Sequence, residues 1–344
     1  MFLRFYSLRE QPFGVTPDPR FLYLTPAHRE ALASLFYGID EGRGFMALIA
    51  KPGMGKTTLL VHLLERFRAT AQTAFIFQTQ CSSREFMRFL LAEIGCEVGA
   101  EQDLVTLHEE FNRRLVREAR DGRRFILIVD EAQNLDTSVL ETIRLLSNFE
   151  TPRAKLVQIV LAGQPELADK LARHSLSQLR QRISVLSSLT PLPQAETERY
   201  MEHRLRVAGY REGTPFTAAA KRLIGEISEG IPRNINNLCF GALSLGYALQ
   251  QKSIDADVIR EVVADLDLSR LQSDSRATTI NESAVLQRLR KDLDLVTLDK
   301  KTILARTEPP PPPPPGADVP SVKEAQAYIQ EIIQRLNSWQ RSVN

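Results

Sequence analysis

Apolar positions follow two regimes along this chain. Up to about residue 190, short apolar runs of strand length alternate with stretches whose apolar residues recur at three- and four-residue spacing. Beyond that point only the helical spacing continues. Phe45–Ile49, Thr73–Gln80, Phe125–Val129 and Leu156–Ala162 read as strands, and LSQLRQRISVLSSL reads as a helix end running into a fifth. Runs as unbroken as FILIV suit parallel strands buried on both faces. Between them, Thr25-Pro26 reads as an N-cap with proline at N1, opening a helix to about Ile39. Further helices are predicted at TLLVHLLERF, REFMRFLLAEIG, about Leu104–Arg120 and Ser138–Phe149. After Pro193 come ETERYMEHRLRVAG, TAAAKRLIGEIS, IPRNINNLCFGALSLGYALQ and IDADVIREVVADL, a small helical bundle. The opening 24 residues are rich in aromatics and prolines and should lie extended against a domain face.

These patterns divide the chain into an α/β domain (1–192), a helical lid (193–268), a polar linker (269–321) and a terminal amphipathic helix (322–344). The linker contains seven consecutive prolines, Pro309–Pro315. They should form a polyproline II rod of roughly 20 Å. On the last segment Ala325, Tyr328, Ile329, Ile332, Ile333, Leu336 and Trp339 mark one face of a helix, read as a docking or self-association element.

Chemistry concentrates at the strand ends. Phe45–Ile49 runs into AKPGMGKTT and then a helix-forming stretch. In that order, glycines let backbone N–H groups converge on a phosphate, and the helix start adds unpaired donors and a positive dipole end. Pro52, Gly53, Met54, Gly55, Lys56, Thr57 and Thr58 form the predicted cradle. Lys56 supplies charge for the β- and γ-phosphates, and Thr57 is placed to ligate Mg²⁺. Ala50 stands where a strict GxxxxGK[ST] pattern has its first glycine, which is tolerable at a negative φ. Asp130 and Glu131 follow FILIV, where side chains leave the carboxyl edge of an open α/β sheet. Asp130 can hold the Mg²⁺ shell, and Glu131 can deprotonate an attacking water. Gln164, after the next strand, could touch that water and the γ-phosphate. Arg180 and Arg182 sit where a neighbouring subunit's nucleotide could be reached, with Arg182 favoured as an arginine finger. Arg233, in the first turn of a lid helix, could sense the γ-phosphate. His28 reads as a surface or capping histidine, with a contact near the nucleotide base as the alternative.

Bulk properties add little partner information. The 344 residues carry a formal net charge of +2 and 25% charged residues, ordinary for a globular chain. Nothing global announces nucleic acid or an anionic membrane. A local run, Arg113, Arg114, Arg117, Arg120, Arg123 and Arg124, is all that supports DNA as a partner. Three widely spaced cysteines suggest neither zinc nor disulfides, and Cys81 reads as an inert thiol. The N-terminus lacks a signal-peptide pattern, and no run approaches a membrane span. A cytoplasmic location follows, with contact to the inner membrane only through a partner.

The motif set resembles the AAA+ ATPases. FYSLREQPFGVTPDPRFLYLTPAHREALASLFYGI, DEAQNL, LAGQPEL, LRQRI, ETERYMEHRLRVAG and GIPRNINNL narrow the resemblance to the ExeA/GspA family of general secretion pathway ATPases. It covers about residues 1–268. The transposition regulators of the TniB, TnsC and MuB kind, which bind DNA as ATP-dependent filaments, have a similar core. The resemblance implies an ATP- and Mg²⁺-dependent, homo-oligomeric ATPase serving assembly of an envelope secretion or pilus machine. By position it implies Lys56 and Thr57 as the Walker A pair and Asp130 and Glu131 as Walker B. Gln164 would be sensor 1, Arg182 the finger and Arg233 sensor 2. Where that family carries a membrane span and a peptidoglycan-binding domain, this sequence has the proline linker and one amphipathic helix, so an envelope role would need a bridging partner.

Overall fold

The computed structural model describes residues 2–14, 18–99, 101–151 and 154–266; the expected linker, proline rod and C-terminal helix lie outside the described residues. The elements in order are α1 (Phe2–Phe5), α2 (Pro26–Asp40), β1 (Phe45–Ala50), α3 (Lys56–Glu65), β2 (Ala71–Ile76), α4 (Ser83–Glu93), α5 (Leu104–Arg120), β3 (Arg124–Val129) and α6 (Thr137–Leu146). A two-residue hairpin follows, β4 (Glu150–Thr151) and β5 (Ala154–Lys155), then β6 (Val157–Gly163), α7 (Pro165–Leu171), α8 (Ser177–Arg180) and β7 (Ile183–Leu189). The remainder is helical: α9 (Gln194–Val207), α10 (Ala218–Ser228), α11 (Pro232–Ala248) and α12 (Ala256–Leu266).

Contacts divide the chain into two units. The first is α/β, comprising Glu30–Ala50 and Leu60–Ser188 of the described chain. Its five-stranded sheet has the order β2-β3-β6-β1-β7, with β2, β3, β6 and β1 pairing parallel. Every residue of β1 and β6 is buried, which is why neither sequence alternates polar with apolar. The register aligns Ile76 with Val129, Val129 with Leu161 and Ile49 with Gly163, so these strands end level at one edge. Helix α5 shows how its face is chosen: Leu107, Phe111, Leu115 and Glu118 are its buried positions, four, four and three residues apart. Asp103 caps it by accepting the Thr106 N–H at 2.8 Å.

The second unit gathers the residues up to Arg29, Lys51–Leu59 and the helical bundle from Leu189. The N-terminal segment is not simply extended. It begins as helix α1 and lies on the bundle, with Phe2 against Phe240, Phe5 against Tyr247 and Phe13 against Phe216. Buried Arg204 of α9 fixes it further, donating to the carbonyls of Pro12 and Gly14 and resting over the Phe21 ring. A guanidinium buried at 8% exposure is tolerable because it is bonded on several sides.

Candidate functional site

In the helical unit, the expected phosphate loop takes the shape its glycines allow. Gly53 (φ +80°) and Gly55 (φ +86°) are both left-handed, a region that disfavours any residue with a Cβ. Ala50, in place of the expected first glycine, is the buried last residue of β1 and needs no such freedom. Lys56 opens α3 and is 6% exposed, while Thr57 and Thr58 are half-buried. Two elements grip the loop from behind. The Arg233 N–H, at the start of α11, donates to the Gly53 carbonyl at 3.2 Å. His28 Nε2 lies 3.0 Å from the Met54 carbonyl. Arg233 is exposed, but its Cβ packs so closely on Gly53 that a methyl group there would sit 2.7 Å from it.

His28 is therefore not a surface residue. It is 4% exposed, with Nδ1 2.6 Å from Thr25 Oγ1, and burial pushes its pKa below the ordinary value despite the Met54 bond. Thr25 also caps α2 as expected, accepting the His28 N–H at 3.2 Å.

In the α/β unit, the residues leaving β3 and β6 form one cluster. Asp130 is 2% exposed, and its Oδ1 accepts the Glu131 N–H at 2.9 Å. Glu131 is left-handed (φ 52°, ψ 35°), an unusual conformation for a glutamate and common at functional positions. Its Oε2 accepts two amides, Gln133 Nε2 at 2.6 Å and Gln164 Nε2 at 3.0 Å. Gln133 Oε1 in turn accepts the Gln164 N–H at 3.0 Å. Lys170 of α7 locks the turn by donating to the carbonyls of Gln133 (2.6 Å) and Leu135 (2.7 Å). The structure thus bonds Glu131 directly to Gln164, and Gln133, which the sequence reading did not single out, bonds to both. Gln133 was visible within DEAQNL, but only the three-dimensional pairing of β3 with β6 gives it a partner.

The other candidates are tethered locally. Arg182 donates to Ser147 Oγ at 2.8 Å and Arg180 to the Ala172 carbonyl at 3.1 Å. In the arginine run, Arg113 pairs with Glu110, Arg114 with Glu118, Arg123 with Glu118 and Asp121, and Arg124 with Asp40. Four of its six charges are thus already matched by carboxylates, which weakens the case for a nucleic-acid stripe. Cys81 is half-buried with its thiol pushed up to about 11 by burial, the inert state expected. No helix among the described residues is long and apolar enough to cross a membrane.

Residues 39–171 match the AAA domain family. The chain is 38% identical over 248 residues to General secretion pathway protein A of Aeromonas hydrophila, covering 72% of this chain and 45% of that protein. It therefore spans about half the length of that relative. Among solved structures, ORC2 of Aeropyrum pernix, in ADPNP–ADP complexes, superposes with a TM-score of 0.57 at 16% identity, covering 74% of this chain and 71% of that one. CDC6P of Pyrobaculum aerophilum superposes with 0.57 at 16% identity, covering 73% and 72%. At such identity the likeness is one of fold. The chain thus carries an AAA domain over residues 39–171 and is similar to general secretion pathway protein A.

Proposed function

We propose that this chain is an Mg²⁺-dependent ATPase in which ATP binding and hydrolysis drive conformational change in a homo-oligomer. The observation that carries the reading is Glu131, which directly follows the buried Asp130 and is held through its carboxylate by Gln164. The donor set fits a nucleotide. Two left-handed glycines and a buried lysine at a helix start are what a polyphosphate needs. A hydroxyl and a carboxylate, from Thr57 and Asp130, suit a hard cation that keeps most of its shell as water and phosphate oxygen.

In this reading Lys56 offsets phosphate charge, and Thr57 and Asp130 would hold Mg²⁺, which when bound would supply charge stabilisation to the transferring phosphoryl group. Glu131 takes the proton of the attacking water, while Gln164 orients that water. Arg233 responds to the γ-phosphate. Arg182 is the finger offered to a neighbouring copy, a role that requires it to leave Ser147. Similarity to general secretion pathway protein A supports service to an envelope secretion, pilus or export system, with residues 322–344 as the docking segment.

The test is Glu131→Gln. Loss of the base should lower kcat by about 10²- to 10⁴-fold while ADP affinity stays within about twofold. A variant hydrolysing ATP as fast as the parent removes the mechanism.

A further inference from the structure

We infer that His28 is a positioning residue of the phosphate loop, acting through the Met54 carbonyl to aim the Gly55 N–H. The inference rests on the nucleotide reading above and adds to it a residue outside the phosphate-loop motif.

The hydrogen bonds fix the ring's tautomer. A carbonyl can only accept, so the bond to Met54 requires that Nε2 carry the proton. Nδ1 is then the acceptor and takes the Thr25 hydroxyl proton at 2.6 Å. That hydroxyl oxygen accepts the His28 N–H in turn, so Thr25 and His28 hold each other in one arrangement. The ring is buried and neutral, with both nitrogens committed.

The consequence follows from peptide geometry. No cis bond occurs among the described residues, and in a trans peptide the C=O of one residue and the N–H of the next point in opposite directions. Pulling the Met54 carbonyl toward His28 therefore turns the Gly55 N–H away from it. Gly55 has the left-handed φ of an anion-binding nest. His28 Nε2 would lie 3.9 Å from a methyl group at Gly55, so the imidazole sits directly behind this peptide. The preceding carbonyl, Gly53, is held separately by the Arg233 N–H, so loss of His28 leaves the rest of the grip in place. A cap for α2 would need only the Thr25 hydroxyl; the Nε2 bond serves the loop.

The experiment uses the full 344-residue chain and direct titration with ADP and AMP, which differ by the phosphate a P-loop cradles. In His28→Phe the ring remains but both hydrogen bonds go. ADP should bind about tenfold more weakly, the worth of one net hydrogen bond, while AMP changes less than twofold. His28→Gln, which can present an amide N–H to Met54, should recover most of the loss. Thr25→Val leaves the ring in place without its orienting hydroxyl and should weaken ADP about threefold; with His28→Gln it carries the test should the phenylalanine variant fail to fold. Unchanged ADP affinity, or an equal loss for AMP and ADP, overturns the inference. Lys56→Ala separates the two readings. Wild type that binds no ADP, or Lys56→Ala that binds it equally well, refutes the nucleotide site itself and the role of His28 with it.

Discussion

Replacing Gly53 with alanine adds one methyl group at a point where the backbone is left-handed and the space is already taken. With φ at +80°, an alanine pays about 1–2 kcal/mol of conformational strain. Its Cβ would also stand 2.7 Å from Arg233 Cβ and 3.2 Å from Ile231 Cγ2. Neither neighbour can swing aside, because the first atom is fixed to the α11 backbone and the second is β-branched. Overpacking of that kind adds about 1–3 kcal/mol, for a total of roughly 2–5 kcal/mol. Gly55→Ala is the internal control: its φ is +86°, but nothing lies closer than 3.9 Å, so only the strain of about 1–2 kcal/mol applies. Urea denaturation without nucleotide measures both. Gly53→Ala should be the less stable variant by at least about 1 kcal/mol. Equal losses for the two would refute the packing of the loop against the start of α11.

Other expectations follow from the Glu131 cluster and the buried histidine. Gln133→Ala removes one donor from the glutamate and the acceptor from the Gln164 N–H; kcat should fall roughly tenfold with ADP affinity unchanged, and an unaltered kcat would dismiss Gln133 as a positioning residue. Lys170→Met leaves the Gln133 and Leu135 carbonyls without their ammonium donor. Denaturant titration should show a loss of about 1–3 kcal/mol, and a change below about 0.5 kcal/mol would show that the turn stands without it. The folded-state pKa of His28 lies below its unfolded value of 6.5, so the unfolded chain binds the proton more readily. Its contribution is intact above pH 6.5 and is lost as pH falls from there through the folded pKa. Compared with His28→Phe, wild type should show the steeper acid loss of melting temperature, and parallel profiles would refute the burial argument.

Much of the fold could be read from residue order because the signals are local. Continuous apolar runs marked β1, β3 and β6, and helix α5 was predicted at its observed limits, Leu104–Arg120. The bundle helices followed from spacing in the same way. Local signals were also over-read: β2 ends at Ile76, short of Gln80, and α6 ends at Leu146, where Phe149 still looked helical. Ser82 and Glu85 form a capping box legible in the sequence at the start of the REFMRFLLAEIG helix. The β4–β5 hairpin, two residues a side, carries no periodicity to detect. What stayed hidden depends on distant pairing. His28 finds its partner 26 residues on, Gln133 and Gln164 are 31 apart, and Arg204 reaches back to Pro12 across 192. No window of sequence contains both ends of such bonds.

Glu131 occupies a backbone region that a glycine would enter freely, so the chain forgoes roughly 1–3 kcal/mol there to keep a carboxylate. Glycine at this position would relieve that strain but lose the two amide bonds the carboxylate accepts, and the proposed base with them. A campaign that screens variants for heat tolerance alone would not register the carboxylate's chemistry, so any such effort must select for turnover at the same time.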